Sequence, residues 1–291
     1  MTASTTIDAL LAWARQVLDR AEIENAVQES RWLVGHALGL EPHHLVSQAE
    51  QPVSSEKKTQ TESLVSRRAA HEPLQYILGT QEFCGLDFHV SPAVLIPRPE
   101  TEVLLQEALR AVDLNKDSVL VDVGTGSGCV AVTLATILSR ARILAVDRSP
   151  EALAEAKANA ERLTVADRIE FIEGDLLSPL RDRGLTGQVD VIVSNPPYIA
   201  ESEWAGLQPE VRGFEPRSAL VSGPTGTEFH DRLLRESKEY LVPGGSLVME
   251  IGQGQRPAVQ QIAEQLGGYT PVEIAKDGAG IERIVIFRRL G

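Results

Sequence analysis

Two rhythms of apolar residues divide the chain. Over residues 6–71 they recur every three or four positions, the spacing that lines up one face of a helix. "IDALLAWARQVLDRA" aligns Ile7, Leu10, Leu11, Ala14, Val17 and Leu18. "AVQESRWLVGHALGL" does the same with Val27, Trp32, Leu33, Ala37 and Leu38 or Leu40, and Gly39 is a natural stop. "SSEKKTQTESLVSRRAAHEP" is more polar, opens with serines suited to capping and ends before Pro73. The pattern predicts a small N-terminal helical bundle, residues 1–73, with outer faces free to bind a partner.

The second rhythm is one of short unbroken apolar runs. Residues 74–100 break theirs with Gly and Pro, as a hairpin followed by an extended connector would. Over residues 101–291 the order becomes βαβα. "SVLVDVG", "RILAVDRS", "IEFIEGD", "VDVIVSNPPY" and "SLVMEIG" read as strands, and helical stretches such as "CVAVTLATILS" and "PEALAEAKANAERL" alternate with the first of them. Near-continuous Val, Ile and Leu mean strands buried on both faces of a parallel sheet. "PVEIAKDGAGIERIVIFRR" adds two more joined by a Gly-containing loop. The fold class is α/β: a doubly wound, mostly parallel, seven-stranded sheet.

Composition narrows the chemistry. The 291 residues are 43% hydrophobic and 24% charged, with a formal net charge of −13. Proteins that hold nucleic acid carry a basic stripe, so this balance argues against that substrate. Two cysteines, Cys84 and Cys129, cannot make a disulfide framework, and no His or Cys spacing suits a metal. Neither a signal peptide nor a membrane span is expected, which points to the cytoplasm.

The first strand runs into "VDVGTGSG", where Gly124, Gly126 and Gly128 let the backbone approach a ligand at a helix N-terminus. Dinucleotide sites also place glycines here, although with G-x-G-x-x-G spacing. The second strand ends at Asp147, about twenty residues on, where an acid can bind ribose hydroxyls. The third ends at Asp175 and Leu176, where an adenine could rest, although Asp175 could equally cap the next segment. Together with "NPPY" after the fourth strand, these motifs resemble a class I S-adenosylmethionine-dependent methyltransferase over residues 118–290.

"NPPY" poses a chemical question, because an amide or exocyclic amine is a poor nucleophile. Two acceptors that hold its NH₂ hydrogens leave the nitrogen lone pair facing a methyl donor. The Asn195 side-chain oxygen can be one acceptor and the Pro196 carbonyl the other. Pro196 and Pro197 stiffen the turn, and Tyr198 offers a flat face and a hydroxyl. The four residues suit any planar nitrogen: adenine, guanine or glutamine.

The flanking segments choose among these. "PLQYILG", "EFCGLDFHV", "VLIPRPETE", "DVGTGSGCVAVTLA", "VSNPPYI", "EPRSAL", "LVPGGSLVMEIG" and "GIERIV" together resemble the release factor glutamine methyltransferases (PrmC/HemK type) over nearly the whole chain. The resemblance implies N5-methylation of the Gln in the Gly-Gly-Gln motif of class 1 peptide chain release factors, with the N-terminal helices docking on the factor. It implies S-adenosylmethionine contacts from Gly124, Thr125, Gly126, Ser127, Gly128, Asp147, Asp175, Leu176 and Asn195. The glutamine falls to Asn195, Pro196, Pro197 and Tyr198. Arg98 and Glu100 either wall the site or form a salt-bridged connector, and Glu250 either serves the site or is a structural hydrogen-bonder. One departure is "GPTGTEFHDR", with Thr227 and His230 where the family pattern has Leu and Tyr; its helix is expected to lie away from the acceptor motif. The alternatives are a methyltransferase for exocyclic amines of nucleic-acid bases and a binding module without turnover.

Overall fold

A computed structural model describes residues 5–113 and 116–291. Residues 1–4 and 114–115, which fall in the expected helical and catalytic spans, lie outside the described residues. The chain divides into two compact units. One comprises residues 1–79 with Gln208–Phe214, and the other Thr80–Leu207 with Glu215–Gly291. The expectation ended the helical part at residue 73; the unit itself continues through a short helix and recruits a distant segment.

In the first unit, α1 (Ile7–Arg20), α2 (Ala26–Leu38), α3 (Pro42–Ser47), α4 (Ser55–Ala69) and α5 (Leu74–Leu78) enclose one apolar core. The start of α1 is capped by Thr6, whose hydroxyl accepts from the Ala9 N–H at 3.3 Å, and that of α4 by Ser54, which accepts from the Lys57 N–H at 3.2 Å. Gly39 ends α2 as expected. The buried face of α2 differs from the expected one: Val27 and Trp32 are exposed, and Glu29, Leu33, Val34 and Ala37 turn inward. Helix geometry gives the reason: five positions apart, Val27 and Trp32 stand about 140° apart around the axis and cannot share one stripe, and Ala26, Leu33, Val34 and Ala37 form the buried face. On that face Arg68 on α4 meets Glu29 at 2.5 Å in the interior. The same guanidinium reaches Glu210 at 2.7 Å and so holds the 208–214 segment to the helices.

The second unit opens with a hairpin, β1 (Thr80–Phe83) and β2 (Leu86–His89), an extended stretch and α6 (Pro99–Arg110). Then come β3 (Val119–Val123), α7 (Cys129–Ile137), β4 (Arg142–Asp147), α8 (Pro150–Arg162), β5 (Ile169–Glu173), β6 (Val189–Ser194) and β7 (Ile199–Ala200). After α9 (Pro209–Phe214), which belongs to the helical unit, follow β8 (Val221–Gly223), α10 (Glu228–Tyr240), β9 (Leu241–Glu250), α11 (Arg256–Leu266), β10 (Glu273–Lys276) and β11 (Glu282–Arg288). The main sheet has seven strands in the order β10-β11-β9-β6-β3-β4-β5. Pairings from β9 to β5 are parallel, and β11 pairs antiparallel with both neighbours. The expected sheet is therefore present in full.

Side chains along β3 alternate between faces, as strand geometry requires. Leu120 joins Leu104, Val130 and Leu134 in one core layer, and Val121 and Val123 join Leu233, Leu247 and Val259 in the other. The chain winds outward from β3 to β4 and β5, then returns to place β6 on the other side of β3. Such a reversal opens a crevice beyond the strands' carboxyl ends, where ligands of doubly wound sheets bind.

Arg68→Met should lower the stability of the helical unit by about 3 kcal/mol, because it strands the buried Glu29 carboxylate. The double variant with Glu29→Leu should recover most of that loss. Urea unfolding followed by helical circular dichroism reads both, and equal loss in single and double variants would contradict the assignment.

Candidate active site

A cavity of about 370 Å³ lies over the carboxyl ends of β3, β4, β5 and β6, a size in the range of small-molecule sites. Its floor is the glycine loop after β3. The Gly124 and Thr125 N–H groups donate to the Val146 carbonyl at 2.8 and 3.0 Å, which folds the loop over β4. Gly128 starts α7 at φ +81°, and a β-carbon there would sit 3.0 Å from that of Ala156, so two requirements select glycine. A β-carbon built on Gly124 meets nothing within 4 Å, and on Gly126 only the Gly124 carbonyl oxygen at 4.0 Å. Both residues line the cavity, so that open space is part of it.

Asp147 sits at the mouth of this loop. One carboxylate oxygen accepts from the Gly126 N–H and the other from the Ser149 N–H, each at 2.9 Å. The carboxylate is thus locked in place, with lone pairs remaining for a hydroxyl-bearing ligand. Leu176, buried at φ +50°, lines the next wall. Asp175 also lines the cavity, but its carboxylate is engaged by Arg232 at 2.7 Å. At the floor, Asp122 lines the cavity and accepts from the Thr125 hydroxyl at 2.7 Å and the Ala131 N–H at 3.1 Å, stitching loop to helix. Burial nevertheless raises its pKa to about 7. Asn159 completes the support from α8: its amide donates to the Ser127 carbonyl at 2.9 Å. Sequence reasoning did not single out Asp122 as a functional residue and passed over Asn159.

The opposite wall is Asn195, Pro196 and Pro197. The Asn195 Nδ2 donates to the Thr101 hydroxyl at 3.1 Å, which in turn donates to Glu250 Oε2 at 2.9 Å. Neither Asn195 Oδ1 nor the Pro196 carbonyl accepts a hydrogen bond within the described residues. Tyr198 departs from expectation: it does not line the cavity, and its hydroxyl turns away to Glu250 Oε1 at 3.3 Å. Burial beside that carboxyl holds the phenol well above its ordinary pKa. Arg98 lines the cavity and also pairs with the buried Glu215. Glu100 does not line it and faces Arg283 at 3.9 Å.

The expectation that the "GPTGTEFHDR" helix lies away from the acceptor motif is corrected. β7 pairs in parallel with β8, which folds this segment back against the motif. A β-carbon on Gly226 would come within 2.7 Å of the Tyr198 carbonyl oxygen, and Gln255 Nε2 binds that oxygen at 2.7 Å. Phe229 lines the cavity, and the buried His230 donates from Nε2 to the Glu250 carbonyl at 2.8 Å. Burial lowers the His230 pKa to about 4, so the ring is neutral.

A glycine loop, an acid at the end of the second sheet strand and an amide-bearing turn after the fourth, all at one topological switch point, define a class I S-adenosylmethionine-dependent methyltransferase. Comparison with known proteins agrees. The chain matches the PrmC N-terminal domain over residues 9–79 and the methyltransferase small domain over residues 100–207. In fold it is similar to a crystal structure of a methyltransferase from Pyrococcus furiosus, with a TM-score of 0.52 and 20% identity over 80% of this chain and 98% of the other. It is 45% identical over 280 residues to a release factor glutamine methyltransferase of Geobacter sulfurreducens, covering 96% of this chain and 95% of that one. A relative of the same name from Nitratidesulfovibrio vulgaris is 41% identical over 302 residues, covering 99% and 97%. The chain belongs to the release factor glutamine methyltransferase family.

Glu250 gives the site a pH-dependent stability. Burial, with Glu100 nearby, raises its pKa from 4.5 to about 7, against the hydrogen bonds from Thr101 and Tyr198. The folded state therefore holds the proton more tightly than the unfolded chain. The resulting stabilisation is present below about pH 4.5 and is lost as pH rises through about 7. Glu250→Gln removes the buried charge and keeps the shape. At about pH 8 the variant should be more stable than wild type by up to about 3 kcal/mol, a difference that closes towards acid pH. Denaturant unfolding across this range checks it; equal or lower stability at the alkaline end would mean that the partners fully compensate the carboxylate.

Proposed function

We propose that this protein transfers a methyl group to the side-chain amide nitrogen of the Gln in the Gly-Gly-Gln motif of class 1 release factors, and that it acts in the cytoplasm. Family membership over nearly the full chain supports the substrate, and one observation carries the site assignment. Within one cavity, two oxygen acceptors without internal partners, Asn195 Oδ1 and the Pro196 carbonyl, stand across from a glycine loop with ligand space beside it. No helix among the described residues is long and apolar enough to cross a membrane.

In this reading Gly124, Thr125, Gly126, Ser127 and Gly128 hold S-adenosylmethionine, Asp147 takes its ribose hydroxyls, and Leu176 packs against its adenine. Asp175, paired with Arg232, contributes polarity at the cavity edge. Bound there, S-adenosylmethionine supplies a methyl group on a positively charged sulfur. The protein's part is to prepare the acceptor. Asn195 Oδ1 and the Pro196 carbonyl take the two N–H hydrogens of the substrate amide and turn its lone pair towards the cofactor side. Two consecutive prolines hold this turn rigid, so little reorganisation is left for the reaction step. Tyr198 acts from behind the turn, through its contact with Glu250 and its Gln255-bound carbonyl. The net charge of −13 favours a protein acceptor over a nucleic acid.

Labelled S-adenosylmethionine incubated with unmethylated release factor, its Gln→Ala variant and total RNA tests the proposal. Label should enter the intact factor alone. Asn195→Ala should lower kcat by about 100-fold or more, as loss of a preorganised polar contact does. Label in RNA instead of protein would replace this substrate assignment with the exocyclic-amine alternative.

A further inference from the structure

The acceptor arrangement works only if Asn195 presents its oxygen to the substrate. A carboxamide rotated by a half-turn has nearly the same shape but offers NH₂, which would face the substrate's own NH₂ and repel it. Packing alone does not separate the two states. Hydrogen-bond sense does.

We propose that Thr101 and Glu250 are positioning residues that fix the sense of the Asn195 carboxamide; the inference rests on the role given to Asn195 above. Thr101 is the second residue past the proline that opens α6, and Glu250 ends β9; both are buried, at 3% and 1% exposure. An ionised carboxylate has only lone pairs. Glu250 Oε2 must therefore receive the single Thr101 hydroxyl proton, and the Thr101 oxygen is left with only lone pairs to offer Asn195. Asn195 can meet it only with Nδ2, which turns Oδ1 away from Thr101. The chain of donors has one direction, set by the charge at its far end. Glu250 is itself fixed by the Tyr198 hydroxyl on Oε1 and by His230 on its backbone carbonyl.

Protonation would reverse this logic. A neutral carboxyl group, or a glutamine in its place, carries a donor of its own. Thr101 can then accept from residue 250 and donate to Asn195 Oδ1, which admits the rotated amide. Among the described residues, the charged and titratable groups around Glu250 are Glu100 on α6, Tyr198 after β6, Arg283 on β11, His230 on α10 and Cys129 on α7. Burial and, less, Glu100 raise its pKa, while the hydrogen bonds from Thr101 and Tyr198 and then Arg283 lower it, leaving the transition at about 7.

The test compares wild type, Thr101→Val, Thr101→Ser and Glu250→Gln, using labelled S-adenosylmethionine and unmethylated release factor. Cofactor affinity by calorimetry and thermal unfolding are measured on each. Thr101→Val should lose about 10- to 100-fold in kcat, with KM for both substrates and cofactor affinity little changed, as for a misoriented reacting group. Thr101→Ser should recover most of the activity. Wild-type kcat should fall as pH drops below about 7, and Glu250→Gln should show a low kcat without that limb. A Thr101→Val enzyme with wild-type kcat, a Thr101→Ser enzyme as poor as the valine, or an unchanged acid limb in Glu250→Gln would overturn the inference and leave the substrate assignment standing. Should Thr101→Val not fold, Glu250→Gln decides alone, on its kcat and pH profile. Wild type that fails to label the factor would overturn the acceptor reading and take this inference with it.

Discussion

Parallel pairing of β3 with β6 is the constraint from which the site descends. Val123 lies opposite Ser194 in this ladder, and the Ser194 hydroxyl donates to the Val123 carbonyl at 2.8 Å. Each strand ends at this pair, so a glycine turn and an asparagine turn leave the sheet side by side. Because β4 and β5 lie on one side of β3 and β6 on the other, no neighbouring crossover fills the gap between the two turns. A cofactor site and an acceptor site thus share one cavity without either element having to bend towards the other. The winding order, rather than any single contact, brings together residues about seventy positions apart.

That economy has a cost in buried charge. Asp122 lines the floor of the cavity and Glu250 sits behind its acceptor wall, and burial raises the pKa of each to about 7. Each is tied to the turn it supports, Asp122 through Thr125 and Glu250 through Thr101. A neutral side chain of similar shape would be easier to bury. What a carboxylate adds is direction, since it can only accept, and so it dictates which way neighbouring hydroxyls and amides point. Sites are often built this way, with stability given up where orientation matters.

Much of the fold was legible in the sequence because burial on both faces of a parallel sheet leaves unbroken runs of Val, Ile and Leu. The five parallel strands are legible that way; β10 and β11 are legible as two runs joined by a Gly-containing loop, and the glycine loop and the turn after β6 by their Gly and Asn-Pro-Pro motifs. The misses share a different cause. Val27 and Trp32 are apolar but, five positions apart on a helix, cannot share a face with Leu33, and a count of apolar residues gives no sign that Glu29 lies on the buried stripe, where it meets an arginine nearly forty residues away. The two-residue strand β7 and its partner β8 are too short to carry a rhythm, and without their pairing the α10 segment looked remote from the acceptor turn. Thr101 was invisible for a related reason. A threonine in the first turn of a helix reads as a capping or surface residue, and only the tertiary fold reveals that it bridges α6 to β9.

The α10 segment shows why departures from a family pattern need tertiary reading. His230 meets one requirement at its position, a donor to the Glu250 carbonyl, and as a neutral ring it does so without adding charge beside a carboxyl that already resists ionisation. Its Nδ1 remains buried without a partner, a penalty that the contact at Nε2 offsets only in part. A few residues earlier, Gly226 leaves room for the Tyr198 carbonyl, and Gln255 closes the arrangement by binding the Tyr198 and Gly226 carbonyls with one amide nitrogen. The turn after β6 is therefore braced by α6 through Thr101, by β9 through Glu250 and by the α10 and α11 segments through Gly226 and Gln255. Rigidity from several elements suits a site whose task is to hold a weakly nucleophilic nitrogen still, because each brace removes a motion that binding the substrate would otherwise have to freeze.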